Sequence, residues 1–171
     1  MIIADASVLI ALAKMRRLDL LDSVYGDVLI EPPVKAETVD AGKKISARGV
    51  ERIEKVLDDG WLQVARLSWK ERNTAHSIVS KGGLDAGEAE SLALASSRKL
   101  VVILDDRAAR SFAEVMGITF LGTAGILFHA FLKRHLTLAE IEDAVEALSQ
   151  TIWLAPTVVA EILKKAREAD R

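Results

Sequence analysis

The chain opens MIIADASVLIAL over residues 1–12, and this stretch decides how the rest is read. Residues 1–4 are an uninterrupted apolar run, the pattern of a strand buried on both faces. The run ends in one carboxylate, Asp5, and from Ser7 onward the apolar residues take a helical spacing. An acid there stands at the carboxyl end of a strand, where open α/β sheets place their ligand sites. The same arrangement recurs in LVVILDDR at 100–107, where the apolar run from Leu100 to Leu104 ends in Asp105 and Asp106. Two buried strands thus direct acids at one rim.

Outward from these two strands, apolar runs alternate with helical periods. Val8, Leu9, Leu12, Leu18, Leu20, Leu21 and Val24 predict one helix and a second short one over 7–25, broken near Leu18 or Asp19 and ended by Gly26. A short strand is expected over 28–31. Pro32-Pro33 then starts a helix, since a first-turn residue has no helical partner for its N–H, and Glu37 falls one turn inside it. A further helix is expected over 46–58, stopped by Gly60, and 61–67 reads as a strand or extended connection. Ser68 and Glu71 form a capping-box pattern at the head of a helix running to about Ser80, before Gly82-Gly83. The alanine-rich helix over 86–98 follows, then the strand ending at Asp105, a helix over 108–116, Gly117 and a short strand over 118–121.

This rhythm predicts an α/β fold of three layers, α/β/α, with a central parallel sheet. After Gly125 the alternation stops. Helices are expected over 126–133, over 138–149 with Thr137 and Glu140 as another capping box, and over 156–169. Residues 1–135 are read as one domain, with 136–171 a helical C-terminal extension packed on it.

A chain of 171 residues that is 50% apolar is long enough for one well-buried core and short for two. It has no cysteine, so disulfides and thiolate metal sites are excluded, which fits a reducing cytoplasm. No basic segment precedes an apolar one at the N-terminus, and no apolar run approaches the ~20 residues that cross a bilayer. A soluble, cytoplasmic protein with no membrane partner is expected. The net charge of −2 hides a basic middle: from Lys43 to Lys81 there are nine Lys or Arg against five acids. That excess could attract a phosphate backbone or form a solvated helical face.

The acids at element ends are Asp5, Glu31, Glu37, Asp85, Glu88, Glu90, Asp105 and Asp106. Clustered carboxylates raise one another's pKa values unless a cation compensates. The oxygen-only donor set favours magnesium or manganese, and without cysteine or paired histidine zinc is disfavoured.

Four segments carry a resemblance. ADASVLIALAKMRRLDLL, VLIEPPVKAETV, LDAGEAESLALA and LVVILDDRAARSFAEVMGITFLGTAGIL occur in the order found in PIN-domain ribonucleases. The GEAE helix and the LDDRAAR…GTAGIL block resemble the DUF3368 subgroup, closely over residues 1–135 and more loosely beyond. The resemblance implies that Asp5, Glu37, Glu88 and Asp106 are catalytic, metal-binding acids, with Ser7 supporting Asp5 by hydrogen bonding. Other members have aspartate where Glu88 stands. Glu90 competes with Glu88 for the third position but lies about 200° around the helix from it, and Asp105 is an adjacent candidate for the fourth.

The reading that follows is an Mg2+- or Mn2+-dependent endoribonuclease, the toxin-like half of a toxin–antitoxin pair, whose partners are RNA and an antitoxin. The alternative is a catalytically weak PIN-like module for binding or dimerisation. No side-chain nucleophile is required, because metal-bound water can attack the phosphodiester. His76, His129 and His135 read as surface or interface residues, and Trp61, Trp69 and Trp153 as packing residues rather than base-stacking ones. Residues 126–132 are apolar almost all round a helix, which predicts either deep burial or a homodimer interface.

Overall fold

A computed structural model describes residues 1–170. In chain order the elements are β1 (Ile2–Ala4), α1 (Ala6–Met15), α2 (Asp19–Tyr25), β2 (Val28–Ile30) and α3 (Pro32–Lys35), which runs through a π-helical turn (Ala36–Ala41) into α4 (Gly42–Lys44). Then come α5 (Val50–Asp58), β3 (Leu62–Val64), α6 (Trp69–Gly82), α7 (Ala86–Arg98), β4 (Val102–Ile103), α8 (Arg107–Val115) and β5 (Phe120–Leu121). Three helices finish the chain: α9 (Thr123–Leu132), α10 (Leu138–Thr151) and α11 (Pro156–Ala169).

The strands form one parallel sheet in the order β3-β2-β1-β4-β5. The order reverses at β1, and such a switch point opens a crevice at the strands' carboxyl ends. Strand pleating divides the core in two. Ile2, Ala4, Val28, Ile30 and Ile103 join a buried cluster with residues of α1, α2, α5, α9 and α10. Ile3, Leu29, Val102 and Leu104 face the opposite way, toward α6, α7 and α8. Helices on both faces of a parallel sheet make the three layers read from the βα rhythm.

Some boundaries differ from the sequence reading, for local reasons. The helix expected over 46–58 begins only at Val50, because Ser46 (φ 50°) and Gly49 (φ 100°) both take left-handed backbone. At Gly49 a side chain would also press on the Ala13 backbone, so the turn brings α5 close against α1. The first helical stretch breaks earlier than expected, at Arg16, whose φ of 59° closes α1. Helix α9 starts at Thr123 rather than 126, with Gly122 at its N-cap.

The apolar circumference of α9 is covered within the chain. Ile126, Leu127, Ala130 and Phe131 are buried, with α2, α10 and α11 packed around them, and Leu132 is exposed. That circumference therefore no longer argues for a homodimer. Ile141, Ala144, Val145 and Leu148 of α10 and Ala166 of α11 lie in the same buried cluster as β1 and α1. Among the described residues no helix is long and apolar enough to cross a membrane.

Candidate functional site

The strand register assembles the site. Ile3 pairs with Leu29 across β1 and β2, so two residues further on Asp5 falls level with Glu31, on strands roughly 4.8 Å apart. Residues at even steps share a sheet face. Both acids therefore leave the sheet on the side of Ile3 and Leu29, which is the side of α7. Ser91 on α7 confirms the direction, its hydroxyl donating to Glu31 Oε2 at 2.9 Å.

Asp5 is 7% exposed and accepts a hydrogen bond from Ser7 Oγ at 3.0 Å. Burial pushes its pKa up, opposed by the backbone N–H of Ala6 and the Ser7 hydroxyl, and the nearby Asp85 charge pushes it further. Glu31 has no exposed surface, and its Oε1 is without a hydrogen-bond partner. Desolvation raises it to about 8, the Ser91 hydrogen bond opposes the rise, and Asp5 and Glu90 add repulsion.

The first turn of α7 supplies two more acids. Asp85 Oδ1 accepts from the Glu88 N–H at 2.8 Å and Glu88 Oε2 accepts from the Asp85 N–H at 3.1 Å, a reciprocal capping box. Burial pushes Glu88 up to about 7; the backbone hydrogen bond lowers it, while Asp85, Asp106 and Asp5 raise it. Asp106 caps α8, its Oδ1 accepting from the Ala109 N–H at 2.9 Å. Glu37 projects from the π-helical turn, a geometry that adds a residue to one turn and occurs often at functional sites. Partial burial raises its pKa, with Asp5 and then Asp85 adding repulsion. Asp5, Glu37, Asp85, Glu88 and Asp106 thus share one electrostatic neighbourhood although they come from four regions of the chain.

Residues 1–168 match the family described as DUF3368, a PIN domain. The chain belongs to that family. No curated protein and no solved structure matches it. PIN domains are in general nucleases, so the family places this chain in a nuclease superfamily.

Within this PIN domain two secondary candidates have other partners. Asp105 accepts from Arg110 Nη2 at 3.0 Å, from the Thr123 N–H at 3.0 Å and from the Thr123 hydroxyl, which ties β4 to α8 and to the head of α9. A side chain at Gly122 would collide with the Arg110 guanidinium, so the Gly-Thr pair of the GTAGIL segment belongs to this tie. Glu90 faces α6: burial raises its pKa while His76 and Arg72 lower it. It lines a groove with Arg72, Ala75, His76, Val79 and Ala86, away from Glu37, Glu88 and Asp106.

Glu31 and Asp85 were not singled out by motif matching. The signals for both were present: Glu31 ends the apolar run VLI as Asp5 ends IIA, and Asp85 stands three residues before Glu88 in a capping-box spacing.

The donor set suits a hard divalent cation, being all oxygen and concentrated at one rim. Among the described residues, none of Asp5, Glu31, Glu37, Asp85, Glu88 and Asp106 forms an ion pair with Lys or Arg. As the side chains stand, no three described His, Asp or Glu residues converge tightly enough to grip one ion. The helix caps account for part of this, since Glu88 and Asp106 each turn an oxygen toward backbone N–H groups.

Proposed function

We propose that this PIN domain is a metal-dependent endoribonuclease in which Asp5, Glu37, Glu88 and Asp106 hold Mg2+ or Mn2+. The observation that carries the reading is the gathering of these carboxylates at one half-buried rim, where burial first and then the charges of Asp85, Asp106 and Asp5 push Glu88 up to about 7, with no Lys or Arg paired to them among the described residues. Such an ion, when bound, lowers the pKa of a water and neutralises charge on the phosphate.

The chain's own groups orient and admit the substrate. Ser7 fixes one oxygen of Asp5, and the caps of α7 and α8 fix one oxygen each of Glu88 and Asp106, leaving the second oxygen of Glu88 and of Asp106 without a hydrogen bond among the described residues. A hollow of ≈ 630 Å³ that begins at Pro32, the residue after Glu31, is lined by Val64, Arg66, Leu67, Arg72 and Glu90 and so holds two guanidinium-bearing residues. Cations so placed can neutralise the backbone of an RNA strand. We place the protein in the cytoplasm as the toxin of a toxin–antitoxin pair, neutralised by an antitoxin partner.

A second reading, a catalytically weak PIN-like binding module, is favoured by the spread of the acids, no three of which converge on one point among the described residues. Cleavage of a labelled single-stranded RNA separates the two. The enzyme cuts in Mg2+ or Mn2+, is silent in EDTA and is abolished by Asp5→Asn and Asp106→Asn. Equal RNA cleavage by wild type and both variants would exclude the site; binding without cleavage by wild type would select the second reading.

A further inference from the structure

We propose that Glu31 is a buried carboxylate of this same site, giving its free oxygen Oε1 to a divalent cation held by Asp5. This rests on the metal-site reading above, and goes beyond it by adding a ligand from the residue that follows β2.

Three observations converge on Glu31. The register sets it level with Asp5 on the adjacent strand, projecting to the same face. It is 0% exposed, one oxygen is held by the Ser91 hydroxyl, and the other is a buried side-chain oxygen without a partner. Its charged neighbours are Asp5 and Glu90, both acids, and among the described residues no Lys, Arg or His pairs with it. A buried carboxylate in that setting costs several kcal/mol unless a cation or donor meets it, roughly the penalty of an uncompensated buried ion. Strand β2 has no packing need for it, since Val28, Leu29 and Ile30 fill the core without it. By holding Oε2 at 2.9 Å, Ser91 fixes which oxygen is left free, so the hydroxyl acts as a positioning group for a ligand oxygen.

Manganese binding to the full chain, read by calorimetry, tests this apart from catalysis. Asp5→Asn serves as the control for the site as a whole. Glu31→Gln keeps the shape and an acceptor for Ser91 but removes the charge; we expect manganese affinity to fall about 10–100-fold, the usual loss when a metal's supporting group is removed. Thermal melting supplies a second signature. In EDTA Glu31→Gln melts above wild type, because the cost of burying the carboxyl group, which without a cation must take up a proton on folding, is gone; in saturating manganese the order reverses. If Asp5→Asn loses manganese while Glu31→Gln binds as wild type does, the Glu31 assignment is overturned and the metal site stands. If wild type binds no manganese, both fall. Should Glu31→Gln not fold, Glu31→Asp draws the carboxylate back by one methylene at constant charge, and an unchanged affinity there would equally overturn the assignment.

Discussion

Thr123 holds Asp105 twice across eighteen residues of chain, its backbone N–H reaching Oδ1 at 3.0 Å and its hydroxyl reaching Oδ2. The side chain of the next residue, Asp106, accepts only the Ala109 N–H among the described hydrogen bonds, and its charge acts on Glu88. Two adjacent aspartates are thereby given different tasks, one joining β4 to α8 and α9, the other facing the acidic rim.

Substitution should separate those tasks. Asp105→Asn weakens hydrogen bonds made to a charged group and lowers stability by about 1.5–3 kcal/mol, with manganese affinity unchanged. Asp106→Asn keeps a good N-cap residue, so stability changes by no more than a few tenths of a kcal/mol (roughly), while manganese binding and cleavage are lost. Urea denaturation and a manganese titration on each variant check the pair. Loss of metal affinity in Asp105→Asn with none in Asp106→Asn would reverse the roles.

The two glutamates of α7 are distinguished by what surrounds them. Glu88 lies near Asp5, Asp85 and Asp106, whereas Glu90 lies near His76 and Arg72. Glu88→Gln is therefore expected to abolish cleavage, and Glu90→Gln to slow it by less than about tenfold, ~1.4 kcal/mol of transition-state stabilisation. Single-turnover cleavage rates in manganese give the comparison directly.

In EDTA the stability of the protein should depend on pH through Glu31. Its folded-state pKa, about 8, lies above the value of about 4.3 for an unfolded chain, so the folded form binds the extra proton. The stabilisation is present below the unfolded value and is lost as pH rises toward 8, with a slope of at most about 1.4 kcal/mol per pH unit. Glu31→Gln should flatten that limb. Denaturation midpoints from pH 5 to 8 (roughly), measured without metal, would refute this if both proteins followed the same curve.

The acid limb has the opposite sign and a different residue. Glu71 accepts from Arg98 Nε at 3.0 Å and closes the capping box with Ser68, and the Arg98 hydrogen bond leads in holding it down at about 2. Its contribution is present above the unfolded value of about 4.3 and is lost as pH falls toward 2. Glu71→Gln should be less stable than wild type at neutral pH and converge on it in acid, as followed by circular dichroism.

How much of this was legible in the chain varies by residue. The boxes at Ser68 and Thr137 were readable because capping depends on a four-residue spacing, and both form. The parallel sheet was readable from strands such as Ile2–Ala4 and Val102–Ile103 that are apolar without alternation. Glu31 was visible as a strand-end acid, but its level with Asp5 depends on pairing between strands, which no local spacing encodes. Asp105 and Asp106 look alike in sequence; only the arrival of Thr123 from beyond β5 tells them apart. The start of α5 is not legible because Gly49 and Ser46 are individually ordinary in sequence, while the positive φ that both take, and the close approach of Gly49 to Ala13 of α1, belong to the folded turn.

The placement of β1 between β2 and β4, with α10 against α1, bears on how the molecule comes into being on the ribosome. Between Asp5 and its neighbour on one side, β4, with the Asp106 that follows it, the ribosome makes about a hundred residues. Helix α1 keeps a bare apolar flank until Ile141, Val145 and Leu148 have been translated. Long-range pairing of this kind is slow to form. A nascent chain therefore holds its acids scattered until β4 and α8 have been made, and the rim comes together only after that stretch has left the ribosome.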